Sequence, residues 1–246
     1  MLLLVQRHTG LGVRQQTAIS VAREGLLSDR LFPMRAFGFL WPLLFSVAMN
    51  AAAATLPEGH FEEAKLYPYV VPEDSYYPGG VANREAAGIA TKLGHGLVAD
   101  LVYDDGGLVH NVSPEELEQV HLTGAQARAI ALGNLKAAVS SGTVSARVFK
   151  AGPQGRPFIL FSEHWLSAAC ILLPDLYDLA SRQLDTADIL VSVPNRGAML
   201  VFPKGDATYR KAMRALIRDK ESDEPKQLTF KLFGLTKAGP VEDDAD

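Results

Sequence analysis

The chain has 246 residues, of which 24 are basic and 28 acidic, so its formal net charge is −4 at pH 7 with histidine neutral. This charge excludes a whole-protein electrostatic attraction to nucleic acid or to an anionic membrane. The single cysteine, Cys170, excludes an internal disulfide. Because it lies in the apolar run 166–173, we expect a buried structural thiol rather than a reactive one.

A secretory signal peptide is predicted at residues 34–54. Arg35 precedes about a dozen mostly apolar residues, and small residues at 51–54 give the Ala-x-Ala pattern that signal peptidase accepts. The apolar run is shorter than the roughly 20 residues of a membrane-spanning helix. We therefore expect cleavage near Ala54 and export of the protein, with the periplasm as the favoured compartment. No stable membrane anchor is expected after cleavage.

Residues 1–33 precede this signal and show no sustained apolar period. Two explanations are open: either Met34 is the true start and residues 1–33 are an upstream extension, or they form an unusually long n-region of the signal. Residues 1–54 hold five basic and two acidic residues, so 192 residues remain without them, with 19 basic and 26 acidic side chains and a net charge of −7. That length suffices for one domain with its own core.

Residues 55–90 predict an extended segment that wraps over the main domain. Four prolines and four tyrosines lie in this segment, and prolines at such density block helices. Binding of a small ligand or a peptide along residues 66–79 is the alternative role of this segment.

A hairpin opens the main domain, which we assign to residues 91–235. Residues 97–103 and 108–112 predict its strands, and the Asp-Asp-Gly-Gly sequence at 104–107 predicts its turn. Three aspartates at this strand end are candidates for cation binding or acid–base chemistry, with turn formation as the favoured role: Asp100, Asp104 and Asp105.

Capping signals predict two helices after this hairpin. Ser113 with Glu116, and Thr123 with Gln126, have the spacing of a capping box, in which the two side chains bond to each other's backbone N–H groups. We expect the second helix to run to about Ser140.

The second half of the domain predicts two more hairpins and two helices. The hairpins pair residues 144–149 with 157–161 and residues 189–193 with 198–202. The other predictions are an apolar helix from near Ser162 to Pro174, an amphipathic helix from Asp206 to about Asp219, a strand at 228–233 and a disordered acidic tail at 236–246. Hairpins separated by helices favour an α+β fold, with a mostly antiparallel sheet and helices packed on one face.

The order and spacing of several motifs carry a family resemblance. They are Leu-Tyr-Pro at 66–68, the strand at 98–104, Val-Ser-Pro-Glu-Glu-Leu at 112–117, Ala-Leu-Gly-Asn-Leu at 131–135, the apolar run at 168–173 and Val-Ser-Val-Pro-Asn-Arg at 191–196. This order resembles the YtpQ-like bacterial proteins over about residues 66–202. The resemblance implies the α+β fold but no catalytic residue, because the family has no established reaction. Its members are typically intracellular, so the predicted export signal is a departure.

Five residues are candidates for a functional site, and each also has a structural explanation. Asn134 falls within the apolar face of its helix, where an unpaired amide costs about 1–3 kcal/mol, so a backbone partner is expected. Arg196 is not required by its turn and could pair with a carboxylate of the protein or of a ligand. The others are Glu163 and His164 at the start of the predicted apolar helix, and Asn195, which tolerates positive φ in a turn.

No metal site and no cofactor is predicted. After residue 54 the sequence has no HExxH, no HxH and no pair of histidines at the i, i+4 spacing. His95 lies between two glycines, which indicates an ordinary turn or, as the alternative, close approach of a ligand.

Three arginines predict a basic stripe on the last helix, because they recur every fourth residue: Arg210, Arg214 and Arg218. The stripe is either a solvated face or a docking surface for an acidic protein partner or an anionic ligand.

The sequence thus predicts a non-catalytic interaction or accessory domain, since it contains no complete catalytic constellation. The alternatives are a hydrolase-type enzyme, whose site is assembled from the five scattered candidates, and a small-ligand or peptide-binding domain. Convergence of the five side chains in one concave pocket would favour the enzyme.

Overall fold

The computed structural model of the chain describes residues 61–76, 80–106, 108–150 and 153–243. They all belong to one unit of the fold, Ala51–Asp246. The predicted signal peptide at 34–54, the segment 1–33 that precedes it and the last three residues lie outside the described residues.

A four-stranded sheet forms from the N-terminal half. Its strands are β1 (Leu66–Pro72), β2 (Thr91–Gly94), β3 (Leu97–Asp104) and β4 (Val109–Asn111). β3 is central, with β1 on one side and β2 and β4 on the other, and each pairing is antiparallel. The hairpin predicted around residues 104–107 is therefore confirmed as β3 and β4.

Three helices accompany this sheet: α1 (Gly80–Ala86), α2 (Pro114–Gln119) and α3 (Gly124–Ser140). Both predicted capping boxes are confirmed. Glu116 N–H donates to Ser113 Oγ at 3.2 Å, and Ser113 N–H donates to Glu116 Oε2 at 2.7 Å. Thr123 and Gln126 exchange the equivalent bonds at the start of α3.

A six-stranded sheet forms from the C-terminal half, in the order β10-β9-β7-β8-β6-β5. Its strands are β5 (Ser145–Phe149), β6 (Phe158–Ser162), β7 (Ile189–Asn195), β8 (Ala198–Pro203), β9 (Leu232–Thr236) and β10 (Gly239–Asp243). Every pairing in it is antiparallel, so the predicted α+β class is confirmed. A 3₁₀ helix at Ala168–Leu172 and the helices α4 (Leu176–Leu184) and α5 (Ala207–Glu221) complete the fold.

Helices cover both faces of the six-stranded sheet, rather than the one face that was predicted. Successive strand residues point to opposite faces. Leu190, Leu200 and Phe202 pack against α5. Their strand neighbours, Val191 and Val201 among them, face the other way and share a core with α4 and the 3₁₀ helix.

The apolar helix predicted from Ser162 to Pro174 is wrong. Residues up to Ser162 belong to β6, which pairs with β5 and β8. Glu163 then takes a left-handed backbone conformation with φ 69°, which ends regular structure there. Only Ala168–Leu172 is helical, as a 3₁₀ turn, and it carries the buried Cys170. Burial raises the pKa of that thiol to about 12, which keeps it protonated and unreactive.

The C-terminal end of the domain also differs from the prediction. The strand expected at 228–233 begins only at Leu232. The tail expected to be disordered over 236–246 instead completes β9 and forms β10, which pairs with β9 across a turn where Gly239 has φ 115°. Acidic residues are found on edge strands as well as in disordered tails, so the composition of this segment alone does not distinguish a strand from a tail.

Part of the segment predicted to wrap over the domain, residues 55–90, belongs to the sheet instead. β1 pairs with β3 along its whole length. Its prolines, Pro68 and Pro72, are tolerated because β1 lies at the edge of the sheet. α1 follows at Gly80–Ala86, so another part of the segment is helical.

Candidate functional site

An aromatic cluster lies where the two sheets meet, and we define it as Tyr67, Tyr69, Trp165 and Arg196. The two tyrosines are two residues apart on β1 and therefore share a face. Trp165 presents its edge to both rings, at centroid distances of 5.8 Å to Tyr67 and 5.6 Å to Tyr69. Arg196 lies 4.8 Å from the centroid of Tyr69 and donates from Nη1 to Tyr69 Oη at 2.8 Å. All four side chains are partly exposed.

A cleft of about 440 Å³ adjoins this cluster. Its walls include Tyr67 and Trp165, and its polar lining includes Asp104, Asn134 and His164. The cleft therefore brings together residues from β1, β3, α3 and the loop after β6. Aromatic walls with a few polar groups are typical of a binding site.

Asn134 ties α3 to the beginning of β1. Its Nδ2 donates to the carbonyl oxygens of Glu63 at 2.6 Å and Leu66 at 2.8 Å. These are backbone partners, as its place on the helix predicts. The amide thus holds the wall of the cleft in place.

His164 lines the cleft, and one hydrogen bond fixes its tautomer. Its Nδ1 accepts from the Leu166 N–H at 3.2 Å, so the neutral ring carries its proton on Nε2. Partial burial lowers the pKa of His164, and the nearby charge of Asp104 opposes this shift. The imidazole is consequently neutral at pH 7.

We expect His164 to make the fold less stable in mild acid. Because its pKa is lower in the folded than in the unfolded state, the unfolded chain binds the proton first as the pH falls below about 6.5. Stability is unaffected by this group at higher pH and decreases below that value. The measurement is the melting temperature between pH 5 and 8. The fall should be shallower in His164→Gln, and identical profiles for the two proteins would contradict the assignment.

The other sequence candidates lie outside the cleft. Glu163 forms a largely exposed ion pair with Arg147 at 2.9 Å. Asn195 is buried, accepts from the Gly197 N–H at 2.8 Å and donates to Glu221 Oε2 at 2.8 Å. Arg196 belongs to the aromatic cluster. The five candidates therefore do not converge: only Asn134 and His164 line one cleft.

Two aliphatic hydroxyl groups line the cleft, those of Ser141 and Thr143, and neither has the geometry of an activated nucleophile. Ser141 Oγ donates to the carbonyl oxygen of Ala138 at 3.1 Å and lies 3.0 Å from Thr143 Oγ1. Within the described part of the chain, no hydroxyl of this cleft is hydrogen-bonded to His164. An activated serine needs such a bond to its base.

The three aspartates near the end of β3 have separate roles. Asp104 Oδ1 accepts from the Gly106 N–H at 2.9 Å, and Asp105 Oδ1 accepts from the Leu108 N–H at 3.0 Å, so the predicted turn chemistry is confirmed. Asp100 is instead buried on the sheet, which the sequence analysis missed.

Asp100 lies at the centre of a buried polar network. Arg84 of α1 donates to it from Nε at 2.9 Å and also from Nη2, and Tyr76 donates its hydroxyl. Burial and the bond to Asp100 raise the pKa of Tyr76, so its hydroxyl remains a donor. Arg84 also reaches the carbonyl oxygen of Val112 at 2.8 Å. The network joins α1 to the central strand.

His95 connects the two sheets and does not simply occupy a solvent-exposed turn. It lies between β2 and β3, yet its side chain is buried and its Nε2 lies 2.8 Å from the carbonyl oxygen of Leu232 in β9. Its backbone N–H donates to the Glu242 carboxylate of β10. The Gly-His-Gly sequence therefore marks a contact between distant segments.

The arginines of α5 are only partly available for docking. Arg210 donates from Nη1 to the carbonyl oxygen of Gly205 at 3.0 Å. Arg218 lies 5.2 Å from the centroid of Phe230 and is exposed, whereas Arg214 is partly buried. A docking role for this stripe stays a prediction.

Comparisons with known proteins identify no family for this chain. No protein-family model, no curated protein and no solved structure matches the chain. Within residues 61–243, apart from the gaps given above, no three potential metal ligands lie together. The same residues contain no helix with the length and apolar character needed to cross a bilayer.

Proposed function

We propose that the chain is an exported, non-catalytic interaction domain with a YtpQ-like fold, which binds a peptide segment of a protein partner. The observation that carries the proposal is the aromatic cluster beside the cleft. Tryptophan, tyrosine and arginine are the residue types that contribute most to protein–protein binding energy. Here they are contiguous and partly exposed, and two of them, Tyr67 and Trp165, line the concave cleft.

The hydrogen bonds of the candidate residues support a binding role over a catalytic one. Asn134 and Asn195 are held by groups of the protein itself, and Glu163 is paired with Arg147. His164 lines the cleft, and its Nε2–H is a donor suited to a carbonyl oxygen of a bound peptide. Aromatic rings at the same cleft supply apolar contact area at low cost in conformational entropy.

The signal at residues 34–54 supports export, and the acidic balance of the remaining chain favours solubility after export. Mass spectrometry of the N-terminus of the native protein tests this part of the proposal. Residue 55 or a close neighbour is expected as the first residue. An N-terminus at or upstream of residue 34 would contradict cleavage.

Peptide binding is tested by selecting a displayed library of random peptides on the full chain. Trp41 lies in the signal peptide, so cleavage leaves Trp165 as the only tryptophan of the exported chain, and its fluorescence reports on the cluster directly; Trp41→Phe gives the same result in the uncleaved chain. We expect the selected peptides to change this fluorescence saturably. Trp165→Leu should raise their Kd, measured by calorimetry, about 30-fold, the loss typical of a central interface residue.

The control for this experiment is Phe149→Ala. Phe149 is an aromatic residue of β5 that is 40% exposed and stacks on Phe158, away from the cluster. Its replacement should leave the Kd unchanged. Peptides that bind equally well to Trp165→Leu and to Tyr67→Ala would overturn the proposal, as would saturable turnover in a screen of hydrolase and transferase substrates.

A further inference from the structure

A second cavity, of about 190 Å³, opens between the four-stranded sheet and α3. It is separate from the aromatic cleft, which lies towards the end of α3, whereas this cavity lies beside the middle of that helix. Its lining residues include Pro68, Leu93, Ala99, Arg128, Leu132 and Leu172.

The small side chain of Ala99 creates this space. Ala99 lies in β3, which is paired on both sides, and its strand neighbours Val98 and Asp100 are buried. Ala99 is nevertheless partly exposed. Protein interiors leave few spaces larger than a water molecule, so an open cavity over a central strand needs a reason.

The walls of the cavity are apolar and come from three separate elements. Leu93 of β2, Leu132 of α3 and Leu172 of the 3₁₀ helix all line it, and all three are partly exposed. A cavity with such walls holds water poorly and accepts an apolar group instead. An engineered cavity of about 150 Å³ accommodates benzene, so this one suits a group of that size or slightly larger.

Arg128 gives the mouth of the cavity a positive charge. Its Nη1 donates to Thr91 Oγ1 at 2.8 Å, and Thr91 also lines the cavity. In the part of the chain that the structure describes, Arg128 forms no ion pair, whereas Arg84 and Arg147 each face a carboxylate. A guanidinium has five N–H donors and binds a carboxylate through two of them at once.

We propose that this cavity binds a small monocarboxylate whose apolar part has about the size of a benzene ring. The apolar group enters between Leu93, Leu132 and Leu172. The carboxylate lies at the mouth, where Arg128 neutralises it. This function does not depend on the aromatic cluster.

Phenylacetate is the probe, and its neutral isostere phenylacetamide is the matched ligand control. Both are titrated into the full chain and followed by calorimetry and by ligand-observed NMR. We expect saturable binding of phenylacetate and at least tenfold weaker binding of the amide. No saturable binding of phenylacetate at millimolar concentration, or equal affinities for the two ligands, would overturn the proposal.

Two variants test the two halves of the site separately. Arg128→Gln should weaken phenylacetate binding at least tenfold and leave the affinity for phenylacetamide unchanged. Ala99→Leu fills the cavity without changing the charge, so both ligands should lose their binding while the melting temperature stays the same or rises. Unimpaired phenylacetate binding by a folded Ala99→Leu protein would place the ligand elsewhere and refute the site.

Lys136→Gln and Trp165→Leu are the protein controls. Lys136 is an exposed cation of the same helix that pairs with Asp175, so its loss reports a general charge effect. Trp165 belongs to the aromatic cluster. Both variants should bind phenylacetate normally, and a tenfold loss in Lys136→Gln would refute specific recognition by Arg128.

Discussion

Replacing Asp100 with asparagine is expected to lower the free energy of unfolding by about 3–5 kcal/mol, because it leaves the buried charge of Arg84 without its carboxylate. The side chain of Asp100 is fully buried, and that of Arg84 is only 14% exposed. Chemical denaturation followed by circular dichroism measures the loss. For a domain of this size it corresponds to a fall of roughly 6–20 °C in Tm.

Asp175→Asn is the matched control, since it removes a carboxylate from an ion pair in which both partners are half exposed or more. Its expected cost is below about 1 kcal/mol. The double variant Arg84→Met with Asp100→Leu should recover much of the stability, because neither buried charge remains. A cost below about 1 kcal/mol for Asp100→Asn itself would show that the network contributes little to the fold.

Two glycines of α3 should respond to alanine in opposite directions. A Cβ on Gly124 would lie 2.6 Å from the backbone carbon of Gly88, and also against the carbonyl oxygen of Ala87. The backbone at the end of α1 packs directly on the first turn of α3, so the clash cannot be relieved by a side-chain rotation. We expect Gly124→Ala to lower the free energy of unfolding by about 1–3 kcal/mol.

Gly133→Ala should instead stabilise the protein by about 0.5–1 kcal/mol. A Cβ on Gly133 meets no atom within 4 Å, and alanine is the better helix former in a helix interior. Both free energies are obtained from urea denaturation. Stabilisation in both variants would show that helix propensity, and not the close approach of two backbones, decides the effect at Gly124.

Local features of the fold were predictable from the sequence. The capping boxes of Ser113 and Thr123 and the hairpins depend on residues a few positions apart, and all of these are found. The apolar run at 166–173 was interpreted as an α-helix because its composition fits a buried helix and a buried 3₁₀ turn equally well. The position at which β6 ends depends on its pairing with β5 and β8, and no local sequence pattern indicates this pairing.

The candidate site was predictable only in part, because its contacts link distant segments. His164 and Asn134 were singled out, and they share the cleft. The partners of Asp100 and His95 lie far along the chain, and no local pattern indicates them. The spacing of Tyr67 and Tyr69 could have placed both rings on one face of a strand, but Trp165 follows them by about a hundred residues.

The C-terminal strand has a consequence for association between molecules. β9 pairs with β7, whose residues Ile189 to Asn195 are all buried, and β10 forms the outer edge beyond β9. Glu242 accepts the His95 N–H, and Asp243 forms an ion pair with Lys204 at 2.7 Å, so both acidic residues hold β10 in place at this edge. Removal of residues 232–243 would therefore expose the edge of the apolar strand β7 as a template for self-association.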